Sequence, residues 1–202
     1  MPDAVARAQG AAGPLALLRV ATAPAHERLD TGLDVLTRPW DLDGHREWLS
    51  LTWGLFNPLE RGLRIWAAAD PGVLDVAARA RADFALADLG YLGATGCDLE
   101  KLRECPDTPV ARSRPAALGV CYVLDGSTLG GALITRAVTA AGVPAMACTS
   151  LTGREGAGRR WRETMAAVED AGLEAVDEMA EAAIATFAAF EHWLAPLAAV
   201  AR

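Results

Sequence analysis

The sequence predicts an all-α protein. Apolar residues recur at three- and four-residue spacing along most of the chain, which is the periodicity of a helix face. Strand-like alternation is weak throughout. Proline and glycine pairs, such as Pro71-Gly72 and the stop at Gly142-Val143-Pro144, cut the chain into segments of helical length. The expected architecture is a single-domain helical bundle over residues 14–202, with roughly six to eight helices. An Ala- and Gly-rich arm, residues 1–13, is expected to precede it as a flexible segment.

The elements follow in order. From Pro14, residues Leu15, Leu18, Thr22, His26 and Leu29 mark one face of a first helix. Pro24 leaves two readings open there: a kinked continuous helix, or a fresh start with Thr22 as N-cap and Pro24 in the first turn. Asp41 to about Ala68 reads as a second helix carrying Trp48, Leu51, Leu55 and Leu59, with Pro58 expected to bend or break it. Val73 to Leu89 reads as a third. Residues 90–115, rich in Gly, Pro, Cys and Asp, suggest a loop with short helical pieces. Ala116 to Ala141 reads as a long helix, 145–157 as a connection, and Arg159–Asp170 and Leu173–Val200 as the last two helices.

Composition narrows the function classes. A net charge of −7 over 202 residues argues against a general nucleic-acid binder, which needs a dense basic face. The four cysteines form no C-x-x-C pair, so a disulfide framework or zinc site is not expected. Cys105-Pro106 is read as a loop cysteine beside a proline. The C-terminal apolar stretch is interrupted by Glu181, Glu191, His192 and Pro196, so no membrane span is expected there. No basic region precedes a clean apolar run near the N-terminus. The expectation is a cytoplasmic protein.

Two segments carry candidate chemistry. In the first, Leu17 to Leu29, His26 falls in line with Leu15, Thr22 and Leu29, and an imidazole on an apolar face needs a hydrogen-bond, proton or metal partner. Arg19 lies two turns earlier on that face, about 10 Å away at 1.5 Å per residue. One face could thus offer an imidazole to iron and a guanidinium to a carboxylate. In the second, Tyr122 to Ala132, Gly126, Gly130 and Gly131 interrupt a good helix. Each costs up to about 1 kcal/mol relative to alanine. Gly126 and Gly130, one turn apart, bare a single face, either for a flat ligand or for a closely packed helix.

Together these motifs resemble the heme oxygenase family, in particular its bacterial branch associated with bacteriophytochromes. Thr22-x-x-x-His26-x-x-Leu29 is similar to the proximal-helix signature, and Gly126-Ser-Thr-Leu-Gly-Gly131 to the distal helix, in the family's order and separation. The resemblance covers Pro14 to about Pro196. It implies a heme oxygenase-like bundle with heme, both substrate and cofactor, sandwiched between the two helices. His26 would be the axial iron ligand, and Arg19, Arg162 (or Arg159) would meet the propionates. Thr22, Tyr122, Phe187 and Phe190 would line the pocket, with Gly126, Ser127, Gly130 and Gly131 forming the distal face.

The implied reaction uses O₂ and electrons from an external reductant of ferredoxin or flavodoxin type to give biliverdin, CO and Fe²⁺. A bacteriophytochrome is an implied product acceptor. Arg136, Arg154, Arg159, Arg160 and Arg162 are a basic cluster that could dock an acidic ferredoxin. One position departs from the family: many members carry Asp directly after the first distal glycine, and this chain has Ser127. A hydroxyl can hold a water there but supplies no carboxylate. Ser127 keeps a rival in play, a non-catalytic heme- or bilin-binding protein on the same fold. A second rival acts on a thiamine-type or other small molecule and leaves His26 without a role. His45 and His192 read as peripheral.

Overall fold

A computed structural model describes residues 12–199. The expected arm lies almost wholly outside the described residues. Every regular element among those described is helical, with no strand. Helix α1 runs Pro14–Leu33, α2 Leu42–Ala69, α3 Ala82–Tyr91, α4 Gly96–Leu99, α5 Arg114–Ala140, α6 Thr149–Thr152, α7 Ala157–Asp170, α8 Val176–Trp193 and α9 Ala195–Ala199. Single 3₁₀ turns stand at Ala77–Arg79, Ala145–Ala147 and Leu173–Ala175.

Both internal prolines are absorbed without ending their helices, and each by a different route. Pro24 sits on the exposed side of α1. The carbonyl it leaves without an intrahelical donor belongs to Val20, which is 74% exposed and open to water. Thr22 is no N-cap, because its hydroxyl donates back to the Leu18 carbonyl at 2.8 Å in mid-helix. Pro58 releases the carbonyl of Gly54 inside the core. There the amide of Cys105 donates to it at 2.9 Å, so the loop between α4 and α5 docks on the defect. Gly54 must be glycine for this approach, since a Cβ would meet the Arg103 carbonyl.

The expected third helix, Val73 to Leu89, divides. Asp75 accepts the Ala78 amide at 3.0 Å and turns the chain into a 3₁₀ segment. The buried carboxylate of Glu60 then accepts the amides of Arg81 and Ala82, at 2.6 and 3.2 Å, and starts α3 afresh. Asp88 does the same for α6, accepting from the amides of Thr149 and Ser150. Carboxylates on neighbouring helices thus cap the starts of α3 and α6, satisfying amides with no intrahelical partner. The region 145–157, expected as a connection, holds α6 as a short helix within it.

Helix α8 is the hub. Both α1 and α5 pack along it, and α7 packs on α5. The first half of α5 is wrapped on all sides: residues 116–121 and 123–125 are buried, and Gly119 lies against the backbone of Met179 on α8. By length and hydropathy α5 could cross a membrane, and half of its most apolar stretch is buried within this bundle. Beyond Tyr122 one side of α5 opens, with Leu129 51% and Leu133 50% exposed. The result is a wedge between α1 and α5 at Tyr122.

Candidate functional site

The wedge contains a groove of about 470 Å³ lined by Arg19, Thr22, Ala23, His26, Glu27, Asp30 and Thr31 of α1 and by Tyr122 of α5. The spacing that put Arg19 and His26 on one face does bring them to one groove. His26 is not buried, however. Its side chain is 61% exposed, at the edge of the stripe of Pro14, Leu18, Thr22, Ala25 and Leu33 that packs inward. Its Nδ1 lies 3.0 Å from the carboxylate of Asp30, one turn on. With Nδ1 so engaged, Nε2 is the nitrogen left for a ligand. Phe187 of α8, itself buried, meets the imidazole edge-on, ring centroids 5.5 Å apart, and does not line the groove. Phe190, expected beside it, instead packs against Phe56 in the core, because one further turn of α8 points it at α2.

The three distal glycines separate into two kinds. Gly126 and Gly130 share a face with Tyr122 and Leu133. A Cβ at Gly130 would meet nothing within 4 Å, and one at Gly126 would make ordinary contact, 3.6 Å, with the ring of Trp161. Gly131 is turned about 100° from Gly130, away from that face, and a Cβ there would collide with the Leu151 carbonyl of α6. Its glycine is required by close helix packing, which corrects its placement on the distal face.

Ser127 also turns aside. Its hydroxyl donates to the Leu124 carbonyl at 2.7 Å and accepts from Arg81 Nη2 at 2.7 Å. Arg81 is buried over the ring of Phe56, at 4.2 Å, and burial lowers its pKa to about 10. Burial raises the pKa of the nearby Glu60. Asp125, the carboxylate two positions before Ser127, is buried too. It pairs with Arg79 at 2.9 Å and accepts from Thr164 at 2.6 Å, so it serves the interior.

Helix α7 closes one end. Trp161 packs on Tyr122, ring centroids 5.4 Å apart. Arg19 reaches the sulfur of Met165 at 3.3 Å, and the Leu15 amide donates to Glu169 at 3.0 Å. Arg162 is three and seven residues from Met165 and Glu169, hence on the α7 face turned to α1. Arg159 points elsewhere and pairs with Glu163 at 2.7 Å. Neither arginine lines the groove itself. The basic cluster is smaller than its sequence suggests. Arg160 is buried and donates to the carbonyls of Arg154 and Glu155.

Three features escaped the sequence reading. Trp161 carried no signal beyond its size. Arg81 sits in a stretch that reads as an amphipathic helix. His45, read as peripheral, is fully buried: its Nε2 donates to the Ala147 carbonyl at 2.7 Å, and burial lowers its pKa. All four cysteines are free, three of them buried. Burial pushes the Cys121 thiol up to about 12 and Cys148 to about 11, so neither is a ready thiolate. No protein-family model matches this sequence, and no curated protein matches it.

Proposed function

We propose that the chain binds heme in the wedge, on a heme oxygenase-like arrangement of α1 and α5, and opens its ring oxidatively. The observation that carries this reading is one groove that joins the Asp30-engaged His26, Arg19 seven residues earlier and Tyr122 of α5, whose helix face continues into the bare positions Gly126 and Gly130. Among the described residues no three His, Cys, Asp or Glu side chains converge. An iron held by His26 would therefore depend on a macrocycle for its remaining ligands.

Each residue then has a task. Asp30 accepts from Nδ1–H of His26, fixing the tautomer and presenting Nε2. Arg19, about 10 Å along the helix, meets a propionate, and Arg162 is the second cation the α7 face offers. Phe187 backs the imidazole from the core. Gly126 and Gly130 leave a stretch of the opposite face, between Tyr122 and Leu133, without a side chain, and no basic group stands on it. Bound heme supplies the redox chemistry, with O₂ and an external reductant of ferredoxin or flavodoxin type. Ser127, its hydroxyl committed to the Leu124 carbonyl and to Arg81, supplies no carboxylate, so proton delivery falls to water in the groove. Product passing to a bacteriophytochrome, in the cytoplasm, completes the proposal.

The test is titration of the purified protein with hemin, followed by ascorbate or reduced ferredoxin in air. A sharp Soret band that decays into the broad red absorption of biliverdin supports the enzyme. A Soret band that persists makes this a heme- or bilin-binding protein, the reading that Ser127's commitment to Arg81 and Leu124 favours. No Soret band overturns both. His26→Ala should abolish the axial-ligand spectrum, and an unchanged spectrum would remove His26 from the site.

A further inference from the structure

We propose that Met165 is an oxidation-sensitive tether that governs how freely Arg19 meets an anionic ligand in the groove; this rests on the reading of the groove given above. Arg19 lines the groove, and its Nη2 donates to the Met165 sulfur at 3.3 Å. Among the described residues no carboxylate pairs with this guanidinium, although the chain carries 26 acidic side chains. A thioether is an uncharged and weak acceptor. Arg19 is therefore held against α7 by one of the feeblest partners an arginine can take. A carboxylate arriving in the groove displaces it readily, because a charge-assisted hydrogen bond is much the stronger.

Oxidation of the sulfur inverts that order. Hydrogen peroxide transfers one oxygen atom: its O–O bond breaks, an S–O bond forms, the sulfur gives up two electrons and water leaves. The resulting sulfoxide oxygen carries partial negative charge and accepts from a guanidinium far better than the thioether does. Arg19 is then fixed on α7, and an anion in the groove must displace a strong hydrogen bond. The position of the sulfur suits this chemistry. The Arg19–Met165 contact is exposed and so open to a small oxidant, whereas Met179 on α8 is wholly buried. Glu169, one turn further along α7, accepts from the Leu15 amide. Helix α1 thus keeps one attachment to α7 while the attachment at Arg19 changes strength. The change is reversible, since reductases return the sulfoxide to the thioether.

The experiment treats the full ligand-free chain with hydrogen peroxide and then removes the oxidant. A background of Cys97→Ser and Met146→Leu takes away the other exposed sulfurs among the described residues. Peptide mapping by mass spectrometry should find sulfoxide at Met165 and none at Met179. The side-chain Nε–H of Arg19, followed by nitrogen-15 NMR, should exchange with water several-fold more slowly after oxidation. Hemin affinity should fall several-fold, and methionine sulfoxide reductase should restore it. Met165→Gln, whose amide oxygen accepts from Arg19 without oxidation, should show the lowered affinity before any peroxide. Met165→Leu, which offers Arg19 no acceptor, should not respond to peroxide at all. A Met165 as resistant as Met179 overturns the proposal and leaves the heme reading standing. Unchanged Arg19 exchange or unchanged hemin affinity in the oxidised chain overturns it equally. No Soret band in the untreated chain removes the heme reading and this inference with it.

Discussion

Two faces of α5 carry glycine, yet the structure uses it on them in opposite ways. In the first half Gly119 is pressed against the backbone of α8, and at the far side of the second half Gly131 is pressed against α6. On the face they share with Tyr122, Gly126 and Gly130 are pressed by no backbone at all. A small-residue motif in a helix says that something approaches closely. Whether that something is another helix or a ligand depends on the facing element, which lies elsewhere in the chain. Here α8 faces Gly119 and α6 faces Gly131, while no backbone faces Gly126 or Gly130.

The sharpest way to break this comparison is to add one methyl group at each position. Gly119→Ala and Gly131→Ala should each destabilise the fold by about 3 kcal/mol, because backbone rather than a flexible side chain must move. Urea unfolding midpoints measure this, and a loss well under 1 kcal/mol would erase the distinction. Gly130→Ala should do the reverse. Alanine is the better helix former, so stability should rise by up to about 1 kcal/mol, while hemin affinity should fall as the bare strip is lost. Equal affinity in that variant would make Gly130 irrelevant to the ligand.

A smaller effect is expected from pH. Burial lowers the pKa of His45 below its ordinary 6.5. The unfolded chain therefore binds the proton more readily, and stability should fall as pH drops below about 6.5. His45→Gln, which keeps a donor for the Ala147 carbonyl without a titrating group, should flatten that slope between pH 7 and 5. An identical slope would place the dependence on other groups. The smallest effect belongs to His26→Ala, whose side chain is mostly exposed. Its unfolding midpoint should shift by no more than about 0.5 kcal/mol, so a lost Soret band would report ligation and not misfolding.

Helical class and most element bounds were legible because they depend on local periodicity. The alignment of Arg19 with His26 was legible for the same reason, since seven residues make nearly two turns. What escaped the sequence was set by distant partners. The break at 73–81 depends on Glu60 capping α3 from another helix. The burial of His45 depends on Ala147, about a hundred positions away. Phe187 and Phe190 look equivalent in sequence and part company only because α8 has α1 on one side and α2 on another. The exposure of His26 was missed because a helical face shows which residues align but not where its buried edge ends.

Pro58 has a consequence for the order in which the molecule assembles. The carbonyl it frees on Gly54 is claimed by the amide of Cys105. A bond that helix geometry would have closed within one turn is thereby replaced by one that waits for the intervening half-hundred residues to fold back. Such a closure carries chain-entropy cost and raises contact order, so it belongs late in folding. Once formed, it should shield the Cys105 amide from hydrogen exchange as firmly as a helix interior does, although the residue lies in a loop. The interruption in α2 becomes the anchorage of the longest irregular segment in the fold.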